Sequence, residues 1–131
     1  MNTPEKITHL KPNQIFVFGS NESGRHGKGA AKMAHDKFGA VYGVGFGRTG
    51  QCFAIPTKDW VLSRLPMKSI NHYVQRFMDY ARANKSLEFL VTKIGCGLAG
   101  YSAQEIAPMF LDAPSNCILP KEFTDEYHKL L

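Results

Sequence analysis

The sequence predicts a single α/β domain over residues 1–131, with a mainly parallel, mixed sheet flanked by helices. Three observations predict it. Short β-branched and aromatic runs alternate with longer amphipathic ones, the pattern of helix-covered parallel sheets. Two of the runs end in glycine-rich loops that lead directly into helical segments. The chain is also long enough for one core, at 131 residues of which 44% are apolar and 21% charged.

Taken in order, QIFVFGS (14–20) reads as a strand running into a Gly-Ser-Asn loop. GKGAAKMAHDKFG (27–39) reads as a helix, with Ala30, Ala34 and Phe38 at helical spacing and Gly39 as its C-terminal stop. Residues 40–50 carry four glycines and are expected to form a mobile loop or irregular hairpin. QCFAIPT (51–57) is a strand. Pro56 belongs at its edge or end, because proline has no N–H to give to a ladder.

A long helix follows over about 67–83, where Ile70, Val74, Phe77, Met78 and Ala81 form one apolar stripe. LEFLVTKIG (87–95) is a buried strand. Ser102 to about Leu111 is a helix, bent or shortened by Pro108. NCILP (116–120) is a last short strand, and KEFTDEYHKLL is a polar tail or terminal helical turn.

Composition bounds the function. No apolar run approaches the roughly 20 residues of a membrane span, and the polar, acid-bearing N-terminus does not read as a signal peptide. Cys52, Cys96 and Cys117 are odd in number, widely spaced and without a C-x-x-C pair, which argues against a disulfide framework or a zinc site. The expectation is a cytoplasmic domain without a cofactor or metal. A net charge of +5 favours an anionic partner. The cations are dispersed, so nucleic acid is compatible with the charge but has no motif behind it.

Chemistry concentrates in two loops. KIGCGLAGYSAQE (93–105) is an apolar run, then G-x-G-x-x-G, then a capping box in which Ser102 and Glu105 satisfy each other's amides. Glycines let the backbone close on a phosphate, and free amides at a helix start attract one. A dinucleotide-binding unit is excluded, because only about 31 residues follow Gly100 and no second mononucleotide half fits. A P-loop is excluded by the lack of GK[ST]. The other loop, GSNESGRHGKGAA (19–31), also joins strand to helix. It supplies Gly19, Gly24, Gly27 and Gly29, an amide at Asn21 for a sugar hydroxyl or base, and cations at Arg25 and Lys28. In a parallel sheet both loops open at one carboxyl edge, where α/β folds hold ligands. A pyrophosphate is the natural tenant of such a pair.

IGCGLAGYSAQEIAPMF (94–110) resembles the second phosphate loop and following helix of macro domains, and SNESGRHGKGAAKMAHDKFGA is similar to their first loop. The order CFAIPTKD, helix, FLVTKIGCGL resembles the terminal ADP-ribose protein glycohydrolase subclass. The resemblance spans roughly residues 14–119. It implies a macro-like fold, an ADP-ribose-type nucleotide or ADP-ribosylated substrate as partner, and a ligand site at Gly19, Ser20, Asn21, His26, Gly27, Gly29 and Ala30 of the first loop. In the second loop it implies Gly95, Cys96, Gly97, Leu98, Ala99, Gly100 and Tyr101. In that subclass a lysine of the Thr-Lys element forms a covalent adduct with the sugar, and an acid just after Gly-Leu assists. Lys58 matches the lysine; Ala99 stands where the acid belongs, and Asp59 replaces it only if it points inward.

The individual residues carry further expectations. A buried Lys58 loses proton affinity and becomes nucleophilic. Cys96 is a small packing residue or, near a helix start, a stabilised thiolate. Tyr101, Tyr42 and Phe46 are candidates to stack on an adenine or shield a ribose. Arg48 is a candidate to close over a phosphate. Binding without hydrolysis, hydrolysis of an ADP-ribosyl bond, nucleic-acid binding and a partner-binding scaffold all remain open on the sequence.

Overall fold

The computed structural model describes residues 1–131. Five strands form one sheet: β1 (Gln14–Asn21), β2 (Gly47–Thr49), β3 (Cys52–Lys58), β4 (Glu88–Val91) and β5 (Cys117–Ile118), in the order β2-β3-β1-β4-β5. Only β2 runs antiparallel to its neighbour; β3, β1, β4 and β5 are mutually parallel. The helices are α1 (Gly29–Lys37), α2 (Met67–Ala83), α3 (Ala103–Ile106) and α4 (Lys121–His128), with a 3₁₀ turn at Ala107–Phe110.

Period-2 alternation along the strands makes two cores. Ile15, Val17, Phe53, Ile55, Phe89 and Val91 face α2, the 3₁₀ turn and α4, where Phe77, Phe110 and Phe123 are fully buried. Phe16, Phe18, Cys52, Ala54 and Leu90 face α1 and the N-terminal Ile7 on the other side. Helices therefore cover both faces, and β1 lies at the centre with its carboxyl end open between the loops that follow it and β4.

Several expectations change in detail. The predicted strand 87–95 stops at Val91, because the chain turns through Lys93–Cys96 with Gly95 at φ +78°. The predicted helix from Ser102 breaks after one turn. Pro108 cannot continue the α-helical ladder, and the chain tightens into the 3₁₀ turn. The glycine-rich 40–50 stretch contains β2 and packs against the first loop. The C-terminal segment is a helix of eight residues, anchored by buried Phe123. Pro56 lies near the end of β3, beyond Ala54, the last residue that β2 reaches. No helix is long and apolar enough to cross a membrane.

Candidate functional site

A cavity of about 770 Å³ opens at the carboxyl ends of β1, β3 and β4. Both glycine loops line it. From the first come Gly19, Ser20, Asn21, Arg25, Gly27, Lys28, Gly29 and Ala30; from the second, Gly95, Cys96, Gly97, Leu98 and Ala99. Lys58 enters from the end of β3. The parallel pairing of β1 with both β3 and β4 places these loops on one rim, as two strand–loop–helix units in one sheet require.

The backbone of both loops is unusually rich in free donors. The amides of Gly97, Leu98 and Ala99 make no hydrogen bond within the chain, between Cys96 N, which donates to Lys93 O at 3.1 Å, and Gly100 N, which donates to Gly97 O at 3.0 Å. On the first loop the amides of Gly27 and Lys28 are likewise unengaged, as are those of Gly29, Ala30 and Ala31 in the first turn of α1. Consecutive free amides form a concavity that attracts an anion, and α1 adds the positive end of its dipole. The second loop works differently from the sequence expectation. The capping box is present, with Glu105 N donating to Ser102 Oγ at 3.2 Å and Ser102 N to Glu105 Oε1 at 3.0 Å. It closes a four-residue helix, however, and lies past the cavity, so the loop's amides rather than a helix dipole carry the positive field.

Asn21 lines the cavity but spends its side chain on its own loop. Its Nδ2 donates to Arg25 O at 2.8 Å, and its Oδ1 accepts from Arg25 N and from Ser23 Oγ, each at 2.8 Å. It shapes the loop, which leaves one amide hydrogen for a ligand. The lysine is half-buried at the cavity edge with no carboxylate partner, and is not the buried lysine expected from the sequence. Asp59 does not line the cavity. Its Oδ1 accepts from the amides of Val61 at 3.0 Å and Ser63 at 2.9 Å, building the turn after β3. The sole carboxylate bordering the cavity is Glu5, on the exposed N-terminal segment.

Three predicted site residues lie outside the cavity. Tyr101 is buried; its hydroxyl donates to Leu65 O at 2.6 Å and the Arg64 guanidinium covers its ring at 4.2 Å, so it ties the second loop to the turn after β3 and is not free to stack on a ligand. Gly100, at φ +80°, turns the chain toward that tether. His26 is 4% exposed and stands edge-on to Phe18 at 5.4 Å, beneath the loop, with Nε2 3.5 Å from Ser20 Oγ and Nδ1 unpartnered. Burial first, and then nearby His35, hold it below the ordinary imidazole range; the Val44 backbone favours the charged ring without completing a hydrogen bond.

Other assignments also resolve. Burial pushes the Cys96 thiol up to about 11, which outweighs the nearby Lys93 and leaves it a packing residue. Phe46 packs edge-on against Phe53 and Arg48 lies beside Tyr80, both away from this cavity, whereas Tyr42 is exposed at its mouth. Sequence reasoning missed Thr57, Thr92 and Lys93 and the N-terminal Pro4, Glu5 and Ile7. The threonines follow from the strand ends. The N-terminal residues carry no motif, and only the tertiary fold brings them there.

The architecture defines a class. This is the macro-domain type of α/β fold, a small mixed five-stranded sheet covered by helices on both faces. It is similar to the solved structure of a macrodomain protein from Streptomyces coelicolor, with a TM-score of 0.57 over 88% of this chain and 92% of that one, at 14% sequence identity. No protein-family model matches the sequence, and no curated protein matches it significantly.

Proposed function

We propose that the chain binds ADP-ribose, or a related ADP-ribosyl nucleotide, with the pyrophosphate held between the two loops. The observation that carries the reading is the pair of free-amide runs, Gly27–Ala31 and Gly97–Ala99, both lining one cavity. A diphosphate has two anionic centres and meets both runs at once. Arg25, Lys28 and Lys58 add positive charge at the same rim. The macro-type fold supports the ligand class, and the cavity is of nucleotide size.

The test is thermal unfolding with ADP-ribose, NAD, cyclic ADP-ribose and AMP. At 100 times its dissociation constant a ligand adds about 2.7 kcal/mol, which for a domain of this size raises Tm by roughly 10 °C. No shift with millimolar ADP-ribose overturns the reading.

A second reading, hydrolysis of an ADP-ribosyl bond, rests on the position of Lys58 at the cavity edge. Binding is favoured over it because Ala99 stands where the resemblance calls for an acid, and Asp59 is committed to its own turn. Turnover of an ADP-ribosylated substrate that Lys58→Ala removes while binding persists decides for hydrolysis.

A further inference from the structure

A second groove, of about 710 Å³, lies between β2 and α2 and shares no lining residue with the candidate site. Its wall holds Arg48 and Arg76, with Phe46, Phe53 and Tyr80, and contains no carboxylate. Neither arginine has an acidic partner within salt-bridge distance. The neighbouring acids are committed elsewhere: Glu22 Oε2 accepts from the Tyr73 hydroxyl at 2.6 Å, and Asp79 Oδ1 accepts from Arg82 Nη1 at 3.1 Å.

Both arginines are exposed, and each has a contact that orients its guanidinium group. Arg48 Nε donates to Gly50 O at 3.2 Å and its Nη1 to the Tyr80 hydroxyl at 3.4 Å. Arg76 lies over the Phe46 ring, 4.5 Å from its centroid, and makes no hydrogen bond, so its N–H edge is free. Fixing long side chains before a ligand arrives removes much of the entropy lost on binding. Planar guanidinium forks match the oxygens of a phosphate, and two positive groups match a dianion. Gly47 keeps the approach open: a Cβ there would meet nothing within 4 Å.

We propose that Arg48 and Arg76 form a binding site for a terminal phosphate monoester, separate from the nucleotide cavity. The bearer of that phosphate is either a free nucleotide or a phosphorylated side chain; the chemistry recognised is the same.

The experiment is a heteronuclear NMR titration of the full chain that follows the backbone amides of Gly47 and Gly50 and the Nε–H of both arginines. Inorganic phosphate, AMP and phosphoserine are added separately, each against sodium chloride at equal ionic strength. The site predicts saturable shifts at these four groups with phosphate and with at least one ester. Stronger saturation with AMP identifies a nucleotide, and stronger saturation with phosphoserine a modified side chain. Arg48→Gln and Arg76→Gln each weaken phosphate binding about tenfold, whereas Lys68→Gln on the same helix leaves it unchanged. Arg76→Lys keeps the charge and the fold but loses most of the affinity, because the fork is gone. Linear shifts equal to those with chloride, or saturable shifts that both arginine variants retain, overturn the proposal. Loss of ADP-ribose binding is read at Gly27 and Gly97, so failure of one site is distinguishable from failure of the other.

Discussion

The backbones of Gly24 and Gly43 touch: Gly43 N donates to Gly24 O at 2.9 Å, and a Cβ at Gly24 would lie 2.3 Å from the Gly43 carbonyl carbon. Gly24 also sits at φ +71°, where L side chains are strained. The contact explains the glycine at 24, whereas Gly43, Gly47 and Gly50 in the facing stretch are required by their positive φ of +96°, +108° and +55°. The contact buttresses the first loop by close backbone approach, and Gly45 repeats the device, since a Cβ there would lie 2.3 Å from Asn21 O. Gly24→Ala is expected to cost about 2–4 kcal/mol through clash and strain together. Gly45→Ala should cost a similar amount through clash. Chemical denaturation measures both, and unchanged midpoints would refute the interlock.

Gly97→Val separates binding from folding. A Cβ at Gly97 meets nothing within 4 Å, and its φ is not positive, so stability should change by no more than about 0.5 kcal/mol. The added side chain stands over the free amides. Loss of one charge-assisted amide bond weakens ADP-ribose roughly 10- to 100-fold. Calorimetry on the folded variant checks this; undiminished affinity removes the second loop from the site.

Lys58→Ala should weaken ADP-ribose about tenfold by removing one cation from the rim, and Lys58→Arg should restore most of the loss. Equal affinity in all three proteins would show that the lysine does not face the anion.

His26 makes stability depend on pH. Its folded-state value is held below the ordinary 6.5, chiefly by burial, so the unfolded chain takes up the proton first on acidification. The stabilising contribution is complete above about pH 6.5 and is lost as pH falls toward the folded-state value. The ring stands against His35 and Tyr42, and His35 is the second cause of its lowered value, after burial. His26→Phe should flatten the stability profile in this window. An identical slope in the variant places the effect on another group.

Salt distinguishes a nucleotide pocket from a nucleic-acid surface. A protein with 6–10 phosphate contacts loses roughly 10³–10⁵ in affinity between about 50 and 200 mM salt. ADP-ribose, with one pyrophosphate, should lose less than about tenfold over the same range. Steep salt dependence together with tighter binding to an oligonucleotide would favour the rival function.

Much of this architecture is legible from local pattern. The stripe Ile70–Val74–Phe77–Met78–Ala81 locates α2, all five residues being buried, and short β-branched and aromatic runs locate β1 and β3. The two loops are legible because glycine clusters between a strand and a helix have few other uses. Legibility fails where distant chain decides the outcome. Nothing near Tyr101 announces that its hydroxyl reaches Leu65, 36 residues away in the chain. The short helix after Ser102 fails for a different reason: the capping box is strong, but Pro108 follows too soon for the helix to lengthen.

The Tyr101 tether has a dynamic consequence. It fastens the segment bearing the lysine to the segment bearing the three free amides, through a hydroxyl–carbonyl bond and a cation–ring contact. The two walls of the cleft on that side should therefore fluctuate as one body, and the bonded amides of Asp59, Leu65, Gly100 and Tyr101 should exchange with solvent in concert. A ligand that stills one wall quiets the other without touching it.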